Sequence, residues 1–149
     1  EWKNAYARRT GAALYLVTQF CFEAAPVIAR DRLVQAQGNR LPIYIGIPGL
    51  ATIRTLLGHA KACGIGPSMR FISRQAMNVA RLMTTSAPDR LVADLAAYKA
   101  SDARCGIAGV HLYPLGGMKK SADWAYAVLD GRFTIDERGG GFDVQAPPS

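Results

Sequence analysis

Short continuous apolar runs alternate with stretches of helical spacing along this chain. That alternation marks strands separated by helices, the pattern of a parallel sheet. Leu14 to Thr18 (Leu-Tyr-Leu-Val-Thr) is the first β-rich run, and its continuity predicts a strand buried on both faces. After Glu23 a helix is expected to start near Pro26 and run to about Gln37, with Gly38 taking the left-handed stop conformation. Pro42 to Ile47 reads as the second buried strand, broken by Pro48-Gly49. Thr52 then caps a helix whose apolar positions Ile53, Leu56, Leu57 and Ala60 share one face, with Gly64 beyond its end. From Met69 to Leu82, polar residues interleave with Phe71, Ile72, Met77 and Val79 at helical spacing, which predicts another helix. Ser86 to Asp89 has the form of a capping box, followed by the stripe Leu91, Val92, Leu95 and Tyr98. Ile107 to Tyr113 is the third buried strand, ended by Pro114 and Gly116-Gly117, and Ser121 to Leu129 is the last helix, with Gly131 as its stop. Residues 132–149, with Gly139 to Gly141 and Pro147-Pro148, read as a loosely attached tail.

Three parallel strands are too few to close a barrel, which takes eight, and an open sheet of three leaves apolar edges unprotected. The expected fold class is therefore α/β: a partial TIM (β/α)8 barrel in which residues 1–131 form the last three or so units. The missing partners would be an N-terminal half or a second copy of the chain. Composition narrows the picture further. Half the residues are apolar and 19% are charged, as in ordinary globular domains. The longest apolar runs, such as Ala12 to Val17, fall far short of a membrane span. The chain opens at Glu1 with neither an initiator Met nor a signal-like segment, so an excised piece of a longer protein is expected. Three widely spaced cysteines, Cys21, Cys63 and Cys105, suit reduced thiols in a cytoplasm, and no zinc-like spacing occurs. The formal charge of +7 is scattered, with only the pairs Arg8-Arg9 and Lys119-Lys120, which points to a solvated basic surface and away from a nucleic-acid stripe.

In parallel α/β folds ligands gather beyond the C-terminal ends of the strands. Here those ends are Thr18-Gln19, Gly46-Ile47-Pro48-Gly49 and His111-Leu112-Tyr113-Pro114. Each breaks its apolar run with a glycine or a hydrogen-bonding side chain, as the floor of a pocket for a flat polar ring requires. The same ends carry a resemblance. Thr18-Gln19-Phe20-Cys21-Phe22-Glu23 resembles the Thr-Gln-aromatic-acid stretch of the methylenetetrahydrofolate reductases. Ile45-Gly46-Ile47-Pro48 is similar to their Pro-Gly-Ile turn, Ala60 to Gly64 to their Ala-Lys-x-Cys-Gly helix end, and Val110 to Leu115 to their final strand. Order and spacing agree over residues 10 to 130, covering the second half of that family's barrel.

The resemblance implies a reductase that moves a hydride from NAD(P)H through bound FAD to methylenetetrahydrofolate. It implies that Gln19 contacts the pterin ring or the nicotinamide amide, for which a carboxamide is suited because it both donates and accepts. Tyr113 would wall the same pocket, and Arg8 lies near the place of a lysine that touches FAD in the family. The family's acidic catalytic residue and most FAD contacts belong to its earlier half, so no catalytic residue is named. Two departures bear on the substrate: the segment after Gly64 as far as Gln75 lacks the family's spacing for the Gln and Phe that sandwich the rings, and Leu115-Gly116-Gly117 replaces a Leu-Asn-Arg whose Arg meets the folate tail, leaving Lys119 or Lys120 to reach those carboxylates. His111, a lone histidine in a strand, reads as a satisfied core residue, and Cys63 as a helix-end packing residue. From a different class comes the alternative of a noncatalytic half-barrel that dimerises through its sheet edges.

Overall fold

The computed structural model describes residues 1–64, 82–136 and 140–145. The helix expected over 69–82 falls almost wholly outside them. Helix α1 (Trp2–Thr10) leads into strand β1 (Leu16–Phe20), helix α2 (Ala24–Ala36) and strand β2 (Ile43–Pro48). A two-residue strand β3 (Ala51–Thr52) precedes helix α3 (Ile53–Ala62) and pairs antiparallel with β4 (Thr85–Ser86). Helix α4 (Asp89–Ser101), strand β5 (Ile107–Tyr113), helix α5 (Met118–Leu129) and the hairpin strands β6 (Phe133–Asp136) and β7 (Gly141–Val144) complete the order.

The main sheet has the order β1-β2-β5 with every pairing parallel, so the chain is α/β as expected. Ile43, Ile45 and Ile47 alternate along β2 onto one face, where they join Leu16, Ile107 and Leu112 from the neighbouring strands. Ala24, Val27 and Ile28 of α2, Leu91, Leu95 and Tyr98 of α4, and Trp124 of α5 cover that face. Most of the opposite face is open: Tyr15, Val17, Tyr44 and His111 are all exposed, while at its C-terminal end Phe20 and Tyr113 pack with Ile53 and Leu56 of α3. The expectation of buried strands thus fails for β1, whose burial alternates, and for β5, in which Ile107 alone is buried. A continuous apolar run cannot distinguish two covered faces from one covered and one open, because Tyr and Val read as core residues either way.

Several local features differ from the sequence-based expectation for identifiable reasons. The first strand starts and ends two residues later than Leu14 to Thr18, because its register shifts between Val17 and Phe20 and the irregularity carries Gln19 and Phe20 into the strand. Thr52 caps α3 as expected, its hydroxyl accepting from Thr55 N at 3.2 Å. The capping box at Ser86 does not form. Ser86 is drawn into the β3–β4 ladder, Pro88 occupies the cap position, and the Asp89 carboxylate accepts a 2.7 Å bond from Trp124 Nε1.

The largest correction concerns the start of the segment read as a loose tail: residues 133–136 and 141–144 form the β6–β7 hairpin, registered from Phe133↔Val144 to Asp136↔Gly141. Phe142 stacks on Trp124 at 6.2 Å and is buried in the main core. Burying such a side chain contributes about 1.5–3 kcal/mol, enough to hold a short hairpin down. Among the described residues no helix is long and apolar enough to cross a membrane.

Candidate functional site at the strand ends

The β1 terminus does not run straight past β2. Thr18 Oγ1 accepts from Gly46 N at 2.8 Å and donates to Gln19 O at 2.9 Å. Cys21 N donates to Gly46 O at 3.1 Å. These bonds pull residues 18–21 across β2 so closely that a Cβ at Gly46 would lie 2.7 Å from Gln19 C, Gln19 O and Thr18 O. Only glycine admits that approach without moving the backbone. The Thr-Gln-Phe-Cys stretch and the Gly of Ile-Gly-Ile-Pro, quoted separately in the sequence, therefore interlock in space.

Tyr113 completes the rim. It pairs with Pro48 in register, and its hydroxyl donates at 3.0 Å to Thr18 O, the carbonyl of the peptide that leads into Gln19. Because β2 lies between β5 and β1, this side chain straps the two outer strands together over the middle one. Its ring packs edge-on against Phe20 (5.7 Å) and His111 (4.8 Å). Gln19, Pro48 and Tyr113 thus meet at one rim, formed by neighbouring strands that run in the same direction.

Their individual positions differ. Gln19 is exposed, with Oε1 accepting from Phe20 N at 3.1 Å and no further side-chain hydrogen bond among the described residues. Its amide nitrogen is available. Tyr113 is half-buried in a second apolar cluster with Phe20, Ile53 and Leu56, so it fixes the rim as well as walling it. Arg8 is not brought to them. It is exposed in the last turn of α1, and that helix docks where the strands begin: Asn4 Nδ2 donates to Gly38 O at 2.8 Å and Asn4 Oδ1 accepts from Arg40 N at 3.3 Å. Arg8 lies one helical turn beyond Asn4, about 6 Å along the axis, in a helix that docks where the strands begin, whereas Gln19 lies where β1 ends.

Of the lysines offered for a ligand tail, Lys119 bonds Asp123 at 2.7 Å, while Lys120 is exposed. His111 is no core residue. It projects onto the bare face, and its imidazole makes no hydrogen bond among the described residues. Cys63 caps the C-terminus of α3 and is exposed instead of packed.

A cleft of about 690 Å³ opens beyond β1 and β2 on the helix-covered side, lined by Phe22, Glu23, Pro48, Leu56, Ser86 and Arg90 among others. It shares Pro48 with the rim but is lined by neither Gln19 nor Tyr113. Its charged groups partly neutralise one another, since Arg90 lies 3.9 Å from Asp94.

The perturbed ionisable groups serve the framework. Burial pushes the Cys21 thiol up to about 11, which removes it as a thiolate nucleophile at neutral pH, and it also raises Cys105. Burial first, and then the bond it donates to Asp31 at 2.8 Å, pushes the Tyr98 hydroxyl up to about 12. Asp31 is itself buried and also accepts from Gly106 N at 3.2 Å and Gln35 Nε2 at 3.0 Å, so it ties α2 and α4 to the turn before β5.

The sequence pointed to Thr18, Gln19, Gly46 and Tyr113 at the strand ends but missed the hydrogen-bonded interlock of Thr18 with Gly46 and the open placement of His111. A glycine inside an otherwise apolar strand was the available signal for a close backbone approach. No protein-family model matches the chain.

Proposed function

We propose that this chain supplies the later β/α units of a (β/α)8-barrel reductase of the methylenetetrahydrofolate reductase type, acting in cytoplasmic one-carbon metabolism. The observation that carries the proposal is the one-sided sheet. Helices cover the face bearing Ile43, Ile45 and Ile47, while Tyr15, Val17, Tyr44 and His111 lie open. A barrel's inner wall, before the remaining strands close on it, has that character. Gln19, Pro48 and Tyr113 gather where barrels place their ligands.

FAD, when bound, supplies the two-electron chemistry that carries a hydride from NAD(P)H to methylenetetrahydrofolate. The residues present fit the edge of a planar ring, because the free Gln19 amide can donate and accept there. They offer less to the cofactor's diphosphate: Arg8 sits on a helix docked where the strands begin, so the phosphates would fall to the rest of the barrel. Tyr113 fixes the peptide before Gln19 and thereby holds the amide in place. Lys120, exposed in the first turn of α5, is one cation that could meet a ligand carboxylate.

The test is the purified full-length protein. Flavin absorbance and NAD(P)H oxidation that depends on methylenetetrahydrofolate are expected. A colourless protein that still oxidises NAD(P)H with the folate would retain the substrate and remove the flavin. Loss of both would overturn the assignment.

One observation favours a second reading, a noncatalytic half-barrel that assembles with another copy. The outer edges of β1 and β5 pair with no strand among the described residues, and Tyr15 beside β1 is 62% exposed. A tight dimer on size exclusion, with no stabilisation by folate, would support that module over the reductase.

A further inference from the structure

The β6–β7 hairpin stands apart from the main sheet and keeps one open edge. Its β7 strand is set against the helices: Phe142 and Val144 join the main core, and a Cβ at Gly141 would stand 3.6 Å from Arg90 Cα of α4. No described residue pairs with the other side of β6. Gln145 N donates to Arg132 O at 3.0 Å, which makes these two a hydrogen-bonded pair just beyond the ladder. Opposed residues in an antiparallel ladder alternate between bonded and non-bonded pairs. Thr134 and Asp136 therefore bond towards β7, and the N–H and C=O of Phe133 and Ile135 point away from it. Edge strands are ordinarily blunted by a central charge, a proline or a bulge. Here the middle of the edge is Thr134-Ile135, with Ile135 73% exposed.

We propose that β6 docks against β6 of a second copy of the chain, antiparallel about a twofold axis through Thr134, so that the two hairpins form one four-stranded sheet. The outward groups fix the register. Only with Thr134 on the axis do Phe133 and Ile135 of each copy both find a bonded partner within the strand: Phe133 faces Ile135 of the other copy, and Ile135 faces its Phe133. Each exposed isoleucine is then covered by an aromatic ring. The same register sets Arg132, which already bonds Asp130 at 3.3 Å, opposite Asp136 of the other copy at both ends. No like charges face each other. Apolar pairs and opposite charges set across from one another stabilise such ladders. The contact is isologous and closes at two copies. It leaves the edges of β1 and β5 untouched, so it goes beyond both functional readings and holds whether or not further strands complete the main sheet.

Sedimentation of the full-length protein over a concentration series tests the proposal. A four-residue edge is shorter than a standard interface, so a dissociation constant on the order of 10 µM is expected. Ile135→Lys puts a charge in the middle of the edge on a side chain already in solvent. It should weaken dimerisation by about tenfold or more and leave the melting temperature at low protein concentration within about 3 °C of wild type. Thr134→Cys reads the register: on the axis it is a non-bonded pair, with Cα atoms about 4.5 Å apart, inside the span of a disulfide. Oxidation with diamide should give covalent dimer well above the background that Cys21, Cys63 and Cys105 produce in wild type, and adding Ile135→Lys should remove the excess. A wild type that stays monomeric up to about 100 µM would overturn the proposal. A dimer that Ile135→Lys leaves intact, or that Thr134→Cys fails to trap above background, would overturn it equally and assign the association to another surface, such as the edges of β1 and β5.

Discussion

Replacing Gly46 by alanine probes the crossing of β1 over β2 directly. The added methyl group would stand 2.7 Å from three backbone atoms of Thr18 and Gln19, against an optimal carbon separation of about 3.5–4.0 Å. Backbone has no rotamer to escape into, so β1 must move by close to 1 Å, an overpacking cost of about 1–3 kcal/mol. The same movement stretches the 2.8 Å bond from Gly46 N to Thr18 Oγ1 and the 3.0 Å bond from Tyr113 to Thr18 O, each worth about 1 kcal/mol. Because one displacement relieves the clash and breaks the bonds, these contributions do not simply add. The loss of chain entropy in the unfolded alanine variant returns about 0.4–1 kcal/mol. A net destabilisation of about 2–3 kcal/mol follows, or roughly 5–10 °C in Tm at this size. Thermal unfolding followed by circular dichroism measures it, with Gly58→Ala as the internal reference. Gly58 is an exposed residue within α3 with nothing near its missing Cβ, so alanine there should stabilise by about 0.5–1 kcal/mol. If Gly58→Ala stabilises as expected while Gly46→Ala melts at or above wild type, β1 does not cross Gly46, and the interlock at the rim is wrong.

Other perturbations separate framework from rim. Tyr113→Phe should cost about 1 kcal/mol by chemical denaturation, and should cost almost nothing further in a Gly46→Ala background, since both act on the position of Thr18. Asp31→Ala should destabilise by about 3–5 kcal/mol, because it strands Tyr98 and the Gly106 amide in the core, and failure to see a large drop in the urea midpoint would refute the node. The folded-state value of Tyr98 is raised from 10.0 to about 12, so its contribution is complete below pH 10 and is lost as pH rises towards 12; Tyr98→Phe should flatten that part of the Tm-against-pH curve. Asp89 is also raised above its ordinary 3.8, chiefly by burial, with Asp143 adding to the shift and the Trp124 bond opposing it. Wild-type stability should therefore gain as pH falls through the folded value towards 3.8, and Asp89→Asn, which keeps an acceptor for Trp124, should lack that gain.

The parallel core was legible because Ile43, Ile45, Ile47 and Ile107 are β-branched residues in short runs bounded by proline and glycine. The cap at Thr52 was legible because capping is a local bond across three residues. What escaped depends on neighbours distant in sequence. The hairpin strands Phe133–Asp136 and Gly141–Val144 are short, and they become structured elements through packing on separate helices, with Phe142 in the core beside Leu91 and Trp124. Ser86 had every local reason to cap α4 and was diverted by pairing with Ala51. The rim followed the same rule: Gln19 and Tyr113 announced themselves by type and position, whereas the glycine in β2 signalled a close approach without saying which strand would make it. Arg8 was carried only by proximity in sequence, and α1 points that stretch of chain elsewhere.

The order of the main sheet also sets a schedule for its assembly. β1 and β2 are joined by a single helix and can meet early, but β5 must close a loop of roughly sixty residues before it can zip onto β2, and ribosomal synthesis delivers it late. Until then β2 presents an unsatisfied isoleucine-rich edge, so a nascent or truncated chain ending before residue 107 should be a chaperone client and an aggregation nucleus, while extension past Tyr113 should release it.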